Sequence, residues 1–125
     1  MGEITQKADA LIERMKRDRG YIYPEWEFAA RADPDFVEAY NNLYRKALTD
    51  GAALDAKTRE FSAIGILSYR GEVNSVNTHL PRAMRLGATK QEILEAVETS
   101  IIPGGAPTFF NGLSAMIQAI DEAKP

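Results

Sequence analysis

Apolar residues recur along most of this chain at helical spacing. Ile4, Ala8, Leu11, Ile12 and Met15 form a stripe that Gly20 ends, and the segment EWEFAARA after Tyr23-Pro24 can add two turns. Asp33-Pro34 reads as an N-cap followed by a first-turn proline. The stripe Phe36, Tyr40, Leu43, Tyr44, Ala47 then runs to a stop at Asp50-Gly51. Asp55 caps AKTREFSAIGILSYR, which is apolar around most of its circumference and predicts a central buried helix ending at Gly71. Leu86-Gly87-Ala88 closes a further helix, and Thr89 with Glu92 forms a capping-box pattern for the next, whose core face is Ile93, Leu94, Val97 and Ile101. A loop, PGGAP, leads to a last helix with the stripe Phe109, Leu113, Met116, Ile117, Ile120. No segment alternates with the period of a strand, so the pattern predicts an all-α, single-domain helical bundle over 1–125, with 1–31 as an N-terminal helical extension and 33–123 as the core.

Between Gly71 and Gly87 the pattern carries a conflict. On a continuous helix, Glu72, Ser75 and His79, the chain's only histidine, fall within an arc of about 60° on one face. Pro81 opposes that helix, because it lacks the N–H that would bond the Asn77 carbonyl. Either the helix kinks there, or it begins at Asn77 or Thr78 with the proline in its first turn; the sequence allows both.

The preceding helix holds one carboxylate out of place. Glu60 shares the stripe Glu60, Ala63, Ile64, Leu67, Gly71, so its side chain is directed into the bundle. If the chain folds back at Gly71, a rise of about 1.5 Å per residue brings Glu60 level with His79 to Arg82. Glu60 then meets His79 or Arg82. A purely structural account is available: a buried Glu60–Arg82 ion pair, His79 satisfying a helix end, Glu72 solvated, and Ser75 capping a broken helix.

Composition narrows the chemistry. The chain has 125 residues, 45% hydrophobic and 26% charged, with net charge −3, which is ordinary for one folded domain and offers nucleic acid no basic surface. The basic run RMKRDR reads as a solvated helix face. Cysteine is absent, which excludes disulfides, thiolate metal sites and a cysteine nucleophile. The start of the chain is polar, and its longest apolar run is less than half of the roughly 20 residues a spanning helix needs. A cytoplasmic protein without membrane contact is expected. One histidine and two glutamates at these spacings form no clustered ligand pattern, and no metal is expected.

The run LDAKTREFSAIGILSYRGEVNSVNTHLPRAMRLGATKQEILEAVETSIIPGGAP, from Leu54 to Pro107, resembles the core of the carboxymuconolactone decarboxylase family, which includes the alkyl hydroperoxidase D-like proteins. The marks are RE before a buried helix, a histidine, RAMRLGAT followed by EI, and a Gly-Gly turn before the last helix; DPDFVEAYNNLYRKAL ahead of it also suits the family. The hydroperoxidase branch has a glutamate followed, after about eleven residues, by CxxCxxxH. Glu60 and His79 stand at its glutamate and histidine, while Glu72 and Ser75 fill its cysteine positions, so a disulfide-cycling peroxidase is excluded. The resemblance therefore implies the decarboxylase branch: a cofactor-free carboxy-lyase acting on a small lactone acid or oxo-acid. On this reading His79 donates the proton, with Glu60 and Glu72 setting its charge and orientation and Ser75 donating a hydrogen bond. Arg82, or backbone N–H groups near Gly104 and Gly105, would hold the substrate carboxylate. Other enolate chemistry, and a non-redox binding or accessory role, remain open alternatives. The resemblance also implies a homo-oligomer, trimer or hexamer, and the aromatic residues Tyr21, Tyr23, Trp26, Phe109 and Phe110 fit that, with Tyr23 and Trp26 as pocket or interface residues.

Overall fold

A computed structural model describes residues 2–121, and the described residues are helical with no strand. The order is α1 (Gly2–Arg19), α2 (Pro24–Ala32), α3 (Pro34–Leu48), α4 (Ala56–Tyr69), α5 (Val73–Arg85), α6 (Lys90–Thr99), the single turn α7 (Ile101–Gly104) and α8 (Ala106–Ile120). The chain divides after Thr49 into two compact units. Within the first unit α3 packs with α1 and α2.

In the first unit α1 buries Ala8, Leu11, Ile12 and Met15 of its stripe while Ile4 stays exposed, and Leu11, Ile12 and Met15 meet Ala30 of α2 and Val37 of α3. The Asp33 carboxylate accepts the Phe36 N–H at 3.2 Å and starts α3. The inward face of α3 differs from the expected one. Val37 and Asn41 are buried, while Phe36 and Leu43, read as core positions, face outward. Asn41 is held by Arg19 and Asp18 of α1, so a hydrogen-bonded amide occupies the place expected for an apolar side chain.

The second unit is built on a helix hairpin. Asp55 caps α4 by accepting from Thr58 N, and α4 buries Ala56, Glu60, Ile64 and Ser68 along one side. Ile66 and Tyr69, on its other side, are exposed, so the helix is not buried all round as its composition suggested. Gly71 adopts φ +75°, and the Glu72 N–H reaches back to the Leu67 carbonyl at 2.9 Å. This is a Schellman closure, in which a left-handed residue ends one helix and turns the chain into the next. The core joins Ile64 to Val76, Leu80 and Ala83 of α5, Ile93 and Val97 of α6, and Ala115 and Met116 of α8. The capping box at Thr89 and Glu92 forms as expected.

Candidate functional site

The α4–α5 hairpin brings together three of the residues singled out in the sequence. Glu60 is fully buried on α4. Its Oε2 lies 2.6 Å from His79 Nδ1, and its Oε1 accepts from Arg82 Nε, also at 2.6 Å. One carboxylate thus uses both oxygens on two partners from a single face of α5. His79 and Arg82 can share it because positions three apart on a helix are neighbours. Their side chains retain 15% and 13% of their surface, so both extend from the buried carboxylate towards solvent.

Pro81 lies inside α5, which runs unbroken from Val73 to Arg85, so the helix neither restarts at Asn77 nor stops before the histidine. That places Ser75 one turn before His79 on the same helix. Glu72 stands outside it, as the N-cap residue, exposed and making no capping hydrogen bond with its side chain. The expected alignment of Glu72 with Ser75 and His79 is therefore corrected: the fold turns at Glu72, and the acid beside His79 is Glu60.

With Glu60 as carboxylate both partners must donate, so His79 carries its proton on Nδ1 and leaves Nε2 as the exchangeable position. Arg82 supplies the compensating charge, since an unpaired buried carboxylate would be costly.

The remaining candidates have other surroundings. Gly104 and Gly105 donate their N–H groups to Ser100 O at 2.9 Å and Ile101 O at 2.7 Å. Their expected part as donors to a substrate carboxylate is corrected, because helix formation in α7 already uses both. Tyr23 is the N-cap residue of α2 and meets Tyr21 edge-on at 5.0 Å, while Trp26 stacks on Tyr40 at 4.5 Å. The same aromatic group surrounds Arg19, whose guanidinium carbon lies 4.0 Å from the Tyr44 ring centroid and 5.6 Å from that of Trp26. Arg19 belongs to the run read as a solvated face, and its burial corrects that reading. The signal for it was its place next to the helix-ending Gly20, ahead of several aromatic residues.

A cavity of about 700 Å³ lies elsewhere in the second unit, bordered by Phe61, Gly65, Ile66, Tyr69, Ser100 and Thr108 among others. These α4 residues are centred about 170° around the helix from Glu60. No charged side chain lines it. On α4 the charged Glu60 and this uncharged cavity therefore lie on opposite sides of the helix. Sequence reasoning passed over this groove; its signal was the pair of small residues, Ser62 and Gly65, in an otherwise bulky run. Among the described residues no group of His, Cys, Asp and Glu side chains clusters as metal ligands would, and no helix is long and apolar enough to cross a membrane.

The profile of the carboxymuconolactone decarboxylase family matches residues 34–118. The chain belongs to that family. Two uncharacterised proteins of Methanocaldococcus jannaschii are similar to it: one is 28% identical over 68% of this chain and 78% of its own length, the other 30% identical over 66% and 80%. Among solved structures, a Burkholderia xenovorans LB400 protein provisionally named carboxymuconolactone decarboxylase superposes with a TM-score of 0.80 at 22% identity, covering 94% of this chain and 91% of that one. The apo form of a carboxymuconolactone decarboxylase family protein from Legionella pneumophila gives 0.69 at 20% identity over all of both chains. At such identities the likeness is one of fold.

Proposed function

We propose that this family member is a cofactor-free enzyme that decarboxylates a small lactone acid or oxo-acid, with His79 as the proton-transferring group. The observation that carries the reading is the Glu60 carboxylate bridging His79 Nδ1 and Arg82 Nε. Such an arrangement fixes the imidazole ring and dedicates Nε2 to the substrate. When the bond to the departing carboxylate breaks, its electron pair passes into the conjugated carbonyl, and CO2 leaves. A proton from protonated Nε2 then ends on carbon. Arg82, at the mouth of the cluster, suits an anionic substrate, and Ser75 one turn away suits a hydrogen bond to it. Self-association to a trimer or hexamer belongs to the same reading, supported by the outward apolar side chains of Ile66, Tyr69, Ile102 and Phe110.

A panel of small lactone acids and β-keto acids, followed by CO2 release, tests it. Turnover by the native chain and none by a folded His79→Ala variant is the expected result. A second reading, a non-redox binding protein, is favoured by the uncharged 700 Å³ groove. It predicts no turnover of any acid but saturable thermal stabilisation by a neutral apolar compound.

A further inference from the structure

Ser75 stands four residues before His79 on a helix that runs unbroken through both, about 40° around the axis from it and about 6 Å along. Side chains four apart on a helix are neighbours, and a long one leans back over the turn that precedes it. The His79 ring and the Ser75 hydroxyl therefore share one stretch of the α5 surface. Ser75 is half-buried, and it is its backbone carbonyl that takes the Thr78 hydroxyl, at 2.7 Å. Among the described residues its Oγ is committed to no partner.

The two nitrogens of His79 have different duties. Nδ1 is 2.6 Å from Glu60 Oε2, which fixes its proton there and leaves a lone pair on Nε2. Arg82, on the other oxygen, compensates the buried charge. A hydroxyl beside a lone-pair nitrogen, whose opposite nitrogen donates to a buried carboxylate, is the constellation that activates a serine. A donor for the resulting oxyanion lies next to it. The Glu72 side chain caps none of the first-turn N–H groups of α5, and Ser75 occupies the third helical position, so its own N–H points out of the helix end beside Oγ. Arg82 is seven residues beyond Ser75 on the same face, about 10 Å away along the axis. Its charge there suits an acyl group that ends in a carboxylate.

We propose that Ser75, His79 and Glu60 form a hydrolytic triad that cleaves esters or lactones whose acyl part carries a distal carboxylate. Ser75 Oγ attacks the carbonyl carbon while its proton passes to His79 Nε2, and the carbonyl electron pair moves onto oxygen, facing the Ser75 N–H. The pair then returns, the bond to the alcohol oxygen breaks, and that oxygen takes the proton from Nε2, which leaves an acyl-serine. Water attacks the acyl carbon and gives a proton to Nε2. Collapse releases the acid and returns that proton to Ser75 Oγ. Ser75 and His79 are the catalytic residues, and Glu60 is a positioning residue. The inference rests on His79 as the proton-transferring group of the proposed function, and not on decarboxylation.

Two probes of equal chain length test it: the mono-p-nitrophenyl ester of adipic acid, and p-nitrophenyl hexanoate, which lacks the carboxylate. The native chain should release a burst of nitrophenolate matching its own concentration, with the adipoyl group found on Ser75 by intact mass and peptide mapping. It should prefer the acid ester by about tenfold or more. An alkyl fluorophosphonate should label the same residue, and His79→Ala should slow that labelling by about a hundredfold or more. Ser75→Ala should abolish acylation. Ser75→Cys should still take the acyl group at that position, and circular dichroism checks that each variant is folded. Labelling at another residue, or a burst that survives in Ser75→Ala, overturns the triad; equal use of the two esters overturns the part given to Arg82. Acylated Ser75 without CO2 from any acid supports the triad and overturns the decarboxylase reading. CO2 release without acylation overturns the triad alone, and the absence of both overturns both.

Discussion

His79 and Arg82 sit one turn apart on α5 and divide the two oxygens of Glu60 between them, Nδ1 to Oε2 and Nε to Oε1. Because the same carboxylate serves both, removing either partner changes the environment of the other, and the substitutions in this cluster are expected to differ in kind.

Glu60→Gln removes the anion but keeps the shape, taking from both His79 and Arg82 the carboxylate they share. A stability loss of about 3 kcal/mol or more is expected by urea unfolding. His79→Ala leaves the Glu60–Arg82 pair in place and should cost only about 1–2 kcal/mol. Both variants should lose turnover, so comparing unfolding with activity separates the structural role of Glu60 from the chemical role of His79.

Pro81→Ala should act in the opposite direction on stability. An interior helical proline costs about 3 kcal/mol relative to alanine, and restoring its N–H gives the Asn77 carbonyl its helical partner. We expect a higher melting temperature, and lower turnover if Pro81 helps to position His79 and Arg82, its neighbours on α5. An unchanged kcat would show that Pro81 does not position them.

Gly112 tests the packing of α8 on α6. A β-carbon there would lie 2.4 Å from Val97 Cγ1. Gly112→Ala should therefore destabilise by about 1–3 kcal/mol, and Val97→Ala in the same chain should recover part of that loss. A double-mutant cycle in denaturant measures the coupling.

Two helix caps contribute to the loss of stability in acid. The Thr58 backbone N–H, then its hydroxyl, hold Asp55 below its usual carboxylate value. The Thr89 backbone N–H, then the Lys57 ammonium, do the same for Glu92. Because the folded values are depressed, each contribution is fully present above the ordinary carboxylate range and is lost as pH falls through the lowered folded values. Melting temperature should fall as pH drops below about 4, where these carboxylates begin to protonate. Asp55→Asn, which keeps a good cap, should match the parent under strong acid and melt lower near neutrality.

Much of the cluster was legible in the residues. Gly71 marked the turn of the hairpin, and a lone carboxylate in an apolar stripe marked Glu60 as inward, so once the chain folds back at Gly71, helix rise brings it level with His79 or Arg82; that it takes both at once did not follow. The position of Glu72 did not follow, because periodicity on an assumed continuous helix cannot reveal that the chain is still turning at that residue. Helix α3 misled for a different reason. Spacing identifies an apolar face, yet it does not say which molecule covers it, and within its own unit α3 turns Val37 and Asn41 inward. Arg19 escaped notice because an arginine beside other basic residues looks solvated until Trp26, Tyr40 and Tyr44 gather around it.

The closure at Gly71 has a kinetic consequence. All three groups of the cluster lie on neighbouring helices joined by one tight turn, so their encounter requires only a short loop to close and none of the distant parts of the chain to arrive first. The hairpin can bring the imidazole to its acid early in folding, and the later docking of α6 and α8 then seals a pairing already made.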